Sequence, residues 1–172
     1  METTKYTLSM LVEDKAGVLN RIASLFRRRG FNIQSLAVGG SEQPGLSRMT
    51  IVVAADPAQV EQVRKQAEKL INVVRVTDIT NAEIVARELV LVKVAATPAT
   101  RSEIIQIVDI FRANIVDVAA DSVMVEVTGD EKKVDSLLEL LRPFGVKEVV
   151  RTGRIALTRG NLTRANNRRK GG

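Results

Sequence analysis

Cysteine, histidine and tryptophan are all absent from the 172 residues of the chain. Without cysteine there is no disulfide and no thiol chemistry, and without histidine the commonest proton carrier at neutral pH is missing. The usual zinc ligand sets are excluded for the same reason. Catalysis by Asp, Glu or Lys stays open, but these absences argue against an enzyme.

Aromatic residues are scarce and apolar runs are short. Phe and Tyr make up 3% of the chain, too few for the stacking platforms of proteins that bind single-stranded nucleic acid. Apolar runs such as residues 89–92 are far shorter than the roughly 20 residues of a membrane-spanning helix. Met1 leads through polar residues into an apolar strand without a signal peptide. We therefore expect a cytoplasmic protein with no membrane partner.

The net charge of +6 is concentrated at the C-terminal end. Seven of the 26 basic residues lie in 151–172, which has no acidic residue, so residues 1–150 carry 19 basic and 20 acidic side chains. The apolar-poor segment "NLTRANNRRKGG" predicts a basic, flexible tail at 161–172. It either keeps the protein soluble or contacts an acidic partner surface or RNA.

The first half predicts the element order β-α-β-β-α-β. "KYTLSMLV" alternates as a strand does, and an apolar helical stripe begins at Val18 and stops at Gly30. "FNIQSLAV" and "LSRMTIVVAA" form a hairpin. Asp56 and Pro57 open a second helix, and "VVRVTDI" is the last strand.

The second half repeats this order from "ELVLVKVAA" to "VKEVVRTG". We therefore predict an α+β fold of two tandem ferredoxin-like βαββαβ domains. They comprise residues 1–79 and 88–160, with a linker at 80–87 between them. The glycine turn that precedes the first helix does not recur, because "ATPATRSEI" occupies its place.

That glycine turn, in "EDKAGVLNRI", is the best candidate for a binding site. Gly17 lacks Cβ, so a ligand can approach its backbone, and the N–H groups of the following helix N-terminus suit a carboxylate. Asn32 lies at the far end of that helix, but symmetric pairing of two sheets would bring it to the turn of another copy. Its amide suits a ligand that bears both ammonium and carboxylate groups.

Each of these residues also has a purely structural interpretation. Gly17 can serve only the turn, Asn32 can bond local backbone after Gly30, and Asp14 can cap the helix start. The arginines at 27–29 are typical of a solvated helix end.

"LVEDKAGVLNRIASLFRRRGFNIQSLAVG", followed by "LSRMTIVV", closely resembles the opening of the small regulatory subunits of acetolactate synthase, also called acetohydroxyacid synthase. The match continues through "RELVLVKV", "IFRANIVDV" and "GRIALTRG", and so covers the chain to about Gly160. The first half resembles an ACT domain, the amino-acid-sensing module of this family.

The resemblance implies a non-catalytic subunit that activates a catalytic large subunit and confers feedback inhibition by valine, or by leucine or isoleucine, in branched-chain amino acid biosynthesis. We also expect a homodimer through the first domains, because ferredoxin-like sheets expose edges and the split ligand site needs a second copy. Thiamine diphosphate, Mg²⁺ and FAD would bind the large subunit, and no cofactor would bind this chain. Sensing is expected in the first half and support of activation in the second. By motif, the effector would contact the turn residues of one copy and two residues of its neighbour: Asp14, Lys15, Ala16, Gly17, Val18 and Leu19, with Asn32 and Ile33.

Two further classes stay open. One is a stand-alone ACT-type amino-acid sensor or gene regulator that acts through the basic tail, although no nucleic-acid-reading element is visible and we expect no nucleic-acid partner. The other is a small catalytic ferredoxin-like protein, which the missing His and Cys disfavour.

Family members often carry Asn at position 14 and Pro at position 16, so Asp14 and Ala16 bear on the affinity of the site.

Overall fold

The computed structural model describes residues 4–160. They divide into two compact units, one formed by residues 4–85 with 154–160 and the other by residues 86–153.

The first unit is a four-stranded antiparallel sheet with two helices on one face. Its strand order is β2-β3-β1-β4, so β2 and β4 are the edges. Its elements are β1 (Thr4–Glu13), α1 (Val18–Arg28), β2 (Ile33–Gly40), β3 (Leu46–Ala55), α2 (Pro57–Ala67) and β4 (Val73–Asp78).

The second unit has the same topology, with strand order β6-β7-β5-β8. Its elements are β5 (Ile84–Ala95), α3 (Arg101–Ile110), β6 (Asn114–Val118), β7 (Ser122–Gly129), α4 (Glu131–Gly145) and β8 (Val146–Arg151). A further strand, β9 (Ile155–Thr158), pairs with β5, although its residues belong to the first compact unit. The predicted α+β fold of tandem ferredoxin-like βαββαβ units is confirmed.

Each unit has its own aliphatic core, as the apolar periodicity predicted. In the first unit the α1 stripe is buried against alternate residues of the sheet. In the second, valines that alternate along β5 and β7 face α3 and α4. The largest side chains in the two cores that are at most 1% exposed include Phe26, Leu8, Met10, Ile22, Ile104, Leu137 and Leu141.

Helix ends follow local signals. Asp56 caps α2 in a reciprocal capping box with Gln59, and Pro57 is the first helical residue, as predicted. Gly30 ends α1 in the left-handed region at φ 76°, also as predicted. The equivalent end of α3 has Arg112 in that region, at φ 52°.

The compact units differ from the predicted domains in two places. Residues 84–87 belong to strand β5 and not to a linker, because β5 begins at Ile84. Residues 154–160 belong to the first unit and not to a C-terminal domain, because the backbone N–H of Arg159 donates to Glu83 and that of Arg154 donates to Ser35. The predicted basic tail, 161–172, lies outside the described residues.

Candidate functional site

The turn between β1 and α1 owes its shape to Gly17. The Val18 N–H donates to the Lys15 carbonyl at 3.3 Å, which closes a four-residue turn. Gly17 has φ 85° and ψ −9°, the geometry of the third residue of a type II turn, where glycine is favoured. Ala16 holds the second position, which tolerates proline because the Ala16 N–H makes no hydrogen bond within the described residues.

Neighbouring loops hold this turn in place. The Glu13 N–H donates to the Asn72 carbonyl at 2.8 Å, and the Asp14 N–H donates to the Gly45 carbonyl at 2.9 Å. The Glu13 carboxylate accepts from Lys15 at 2.7 Å and from the Asn72 amide at 2.8 Å. These two hydrogen bonds hold the pKa of Glu13 below its ordinary value.

The first turn of α1 presents unused backbone donors. Its first helical hydrogen bond runs from the Arg21 N–H to the Gly17 carbonyl at 3.0 Å. Within residues 4–160, no acceptor pairs with the N–H groups of Leu19 or Asn20. No side chain caps this end, so Asp14 does not fill the capping role that was one of its two interpretations. Free N–H groups at the positive end of a helix favour a carboxylate ligand.

The side chains of the turn differ in what they can offer. Val18 is 3% exposed and packs in the core, so it offers a ligand only its backbone. Leu19 is 46% exposed, and Asp14, Lys15 and Ala16 are also exposed.

Asn32 stands free at the other end of α1. The Gly30 N–H donates to Arg27 and the Phe31 N–H donates to Phe26, which is a Schellman motif made by backbone alone. The Phe26 and Phe31 rings pack edge to face, 6.0 Å apart. The exposed Asn32 amide makes no hydrogen bond in the described part of the chain, so it is not needed as a local cap.

Within one copy, the structure does not bring the turn and Asn32 together. The 11 residues of α1 separate them by about 16 Å along the helix axis. Ile33, beside Asn32, is half-buried and packs against the core of the first unit.

The second unit lacks an equivalent of the turn. Thr100 occupies the N-cap position of α3 with φ −97°, and its hydroxyl pairs with Thr97. The first turn of α3 carries the acidic residue Glu103, which disfavours a carboxylate ligand there.

Sequence reasoning missed the residues that support the site from a distance. Asn72 lies 59 residues from Glu13 in the chain, and no local pattern links them. Arg154 makes another long-range contact that sequence reasoning missed, outside the site: its guanidinium donates to the hydroxyl of buried Thr7 at 3.0 Å across 147 residues.

The described residues show neither a metal-binding cluster nor a membrane-spanning helix. Residues 4–160 contain no cluster of three or more Asp or Glu side chains arranged to hold a metal ion. None of the helices described here is long and apolar enough to cross a membrane.

Two family models match consecutive parts of the chain. The ACT domain of acetohydroxyacid synthase small subunits and their like matches residues 8–75. The model described as the small subunit of acetolactate synthase matches residues 87–160.

Whole-chain relatives agree with both models. A probable acetolactate synthase small subunit from Archaeoglobus fulgidus is 55% identical over 157 residues, which are 91% of this chain and 98% of that protein. The acetolactate synthase small subunit of Mycobacterium bovis is 50% identical over 160 residues, covering 93% of this chain and 95% of that one. The crystal structure of the Thermotoga maritima small subunit superposes with a TM-score of 0.84 at 44% identity, covering 92% of this chain and 99% of that one. The chain therefore belongs to the family of acetolactate synthase small subunits.

Proposed function

We propose that this chain binds the catalytic large subunit of acetolactate synthase, raises its activity, and makes it sensitive to feedback inhibition by valine or a related branched-chain amino acid. The family supports the catalytic partner, because a small subunit implies a large one. Thiamine diphosphate, Mg²⁺ and FAD belong to that large subunit in this proposal. The observation that carries the sensing role is the Gly17 turn, with its free helix N–H groups.

The proposed effector site needs two copies of the chain. Gly40, at the end of β2, faces Ser47, which in turn faces Val12 at the end of β1. The end of β2 therefore lies at the same end of the sheet, along the strand direction, as the glycine turn. Ile33, at the start of β2, pairs with Val53 at the opposite end of the sheet.

Strand β2 is an edge of the sheet, and an edge exposes unpaired N–H and C=O groups. Antiparallel pairing of two β2 strands about a two-fold axis puts the start of one beside the end of the other. The partner's Asn32 then lies near the turn that holds Gly17. Such a homodimer joins the two four-stranded sheets into one.

The chemistry of this composite site fits an amino acid. The N–H groups of Leu19 and Asn20 bind the ligand carboxylate at the positive end of α1. The side-chain oxygen of the partner's Asn32 accepts from the ligand ammonium group, and the exposed Asp14 carboxylate favours the same cation. Both ends of a zwitterion are thereby recognised.

Reconstitution tests this function directly. The purified chain is mixed with the large subunit of the same organism, and acetolactate formation is measured with and without valine, leucine and isoleucine. We expect co-elution of the two proteins, a higher rate than the large subunit gives alone, and a lower rate on addition of valine. An unchanged rate without co-elution would contradict the proposal.

A further inference from the structure

The first unit has a cavity on the sheet face opposite its helices, apart from the glycine turn. It encloses about 320 Å³ and is lined by strands β1, β3 and β4 together with the hairpin loop between β2 and β3. That volume lies at the small end of the range for ligand pockets. The cavity lies on the face of the sheet, whereas the glycine turn lies between the end of β1 and the start of α1.

The strand register explains which side chains meet there. Leu11 of β1 faces Arg48 of β3 on one side and Arg75 of β4 on the other. Residues directly opposite each other share a face of a sheet, so two arginines flank one leucine. In the next row on the same face, Ser9 pairs with Thr77. The cavity therefore combines two guanidinium groups and two hydroxyls with an apolar floor.

Most of this donor capacity is uncommitted. The Arg75 side chain is exposed, and in the described part of the chain its guanidinium makes no hydrogen bond or ion pair. The hydroxyls of Ser9 and Thr77 have no partner there either. Arg48 binds only Glu42, through one nitrogen that is 3.0 Å and 3.2 Å from the two carboxylate oxygens. The cavity lining thus has one carboxylate and two guanidinium groups, so it carries an excess positive charge.

We propose that this cavity binds a small organic phosphate. The phosphoryl group lies between Arg48 and Arg75, because planar guanidinium groups bind phosphate oxygens with paired hydrogen bonds. The hydroxyls of Ser9 and Thr77 donate to the remaining oxygens. The carbon skeleton covers the side chains of Leu11 and Val74, which also line the cavity.

Glu42 competes with such a ligand for Arg48. Its carboxylate is largely exposed, and it stands in the same loop as Gly45, whose carbonyl holds the Asp14 N–H of the glycine turn. Ligand binding that displaces Glu42 from Arg48 acts on the loop that fixes the turn. The phosphate site is therefore placed to influence the turn while remaining separate from it.

Calorimetric titration of the full chain at constant ionic strength tests the proposal, with n-butyl phosphate as the probe. Inorganic phosphate and n-butanol separate the two halves of the probe. Arg75→Gln removes a guanidinium from the cavity, and Arg28→Gln is its matched control, since exposed Arg28 on α1 loses the same charge outside the cavity. Glu42→Gln removes the competitor.

We expect n-butyl phosphate to bind several-fold more tightly than inorganic phosphate, and n-butanol not to bind. Arg75→Gln should weaken binding at least tenfold, Arg28→Gln should leave it unchanged, and Glu42→Gln should tighten it several-fold. The gain from Glu42→Gln cannot arise from misfolding. Equal affinity for both phosphates, equal effects of the two arginine variants, or no gain from Glu42→Gln would each overturn the proposal.

Discussion

At the scale of single residues, three of the positions with a left-handed backbone differ in role: Gly30 and Arg112 end helices, whereas Gly17 shapes the proposed effector site. Gly30 and Arg112 end equivalent helices, but Arg112 carries a Cβ at φ 52°. Replacing it by glycine relieves that strain, so Arg112→Gly should raise the free energy of unfolding by about 0.5–1 kcal/mol. Arg112→Ala keeps a Cβ and is the control. Urea denaturation measures both, and equal stability of the two variants would contradict this explanation.

Gly17 needs a different kind of test, because its φ of 85° strains any L-residue. Gly17→Asp therefore costs stability in addition to introducing a negative charge. Gly17→Asn has nearly the same shape and strain without the charge, and both should lower stability by about 1 kcal/mol. Only Gly17→Asp should weaken valine binding more than tenfold, since its carboxylate repels that of the ligand. Calorimetry that finds the same loss in both variants would rule out the charge argument.

At the scale of elements, α2 shows how much its N-terminal cap contributes. The Gln59 N–H donates to Asp56 at 2.9 Å, and the Asp56 N–H donates back to the Gln59 side chain at 3.2 Å. Asp56→Ala should destabilise the chain by about 1 kcal/mol, whereas Asp56→Asn, which also caps well, should stay close to the wild type. Thermal unfolding measures the difference. If the Asn variant is as unstable as the Ala variant, charge and not capping stabilises this helix end.

Elements with a strong local pattern could be predicted from the sequence, and those without one could not. The apolar stripe of α1 and the Asp56–Pro57 start of α2 each carry their signal in a few adjacent residues. Strand β9 has only four residues, of which Ala156 alone is buried, so it shows too little alternation to be recognised. The bonds from Asn72 to Glu13 and the cavity between Arg48 and Arg75 depend on strand register, which a single sequence does not reveal.

At the scale of the whole molecule, residues 154–160 belong to the first unit although they follow the second unit in the chain. This limits what a fragment without the second half can show. A fragment that ends near residue 80 loses the Arg154 bonds to Thr7 and Ser35, so weak activation by it would not by itself locate the activating role in the second half. Arg154→Ala in the full chain should destabilise the first unit by about 1–3 kcal/mol, because it leaves the hydroxyl of Thr7 buried without this donor. Arg154→Lys, which can still reach a hydroxyl, should lose less. An Arg154→Ala chain as stable as the wild type in urea would contradict this role.

The expected affinity for the effector determines how large an effect the loss of the Asn32 amide has on valine binding. An effector that acts near 0.1 mM has a binding free energy of about −5.5 kcal/mol. One hydrogen bond to a charged group contributes roughly 1.5–3 kcal/mol, so Asn32→Ala should weaken valine binding by about one to two orders of magnitude. Asn32 is exposed and supports no other described group, so folding and activation of the large subunit should survive. Valine inhibition of the reconstituted enzyme measures this change, and an unmoved inhibition curve would place the site elsewhere.

The central claim, that one effector site is built from two copies of the chain, is tested most directly by mixing two defective variants. Each Gly17→Asp homodimer and each Asn32→Ala homodimer has both of its sites damaged. A mixed dimer, isolated through two different affinity tags, has one site with both defects and one site with none. Calorimetry should therefore find valine binding to the mixed dimer at wild-type affinity and about half the wild-type stoichiometry. No recovery of binding in the mixed dimer would contradict the composite site, since a site within one chain would remain damaged in both copies.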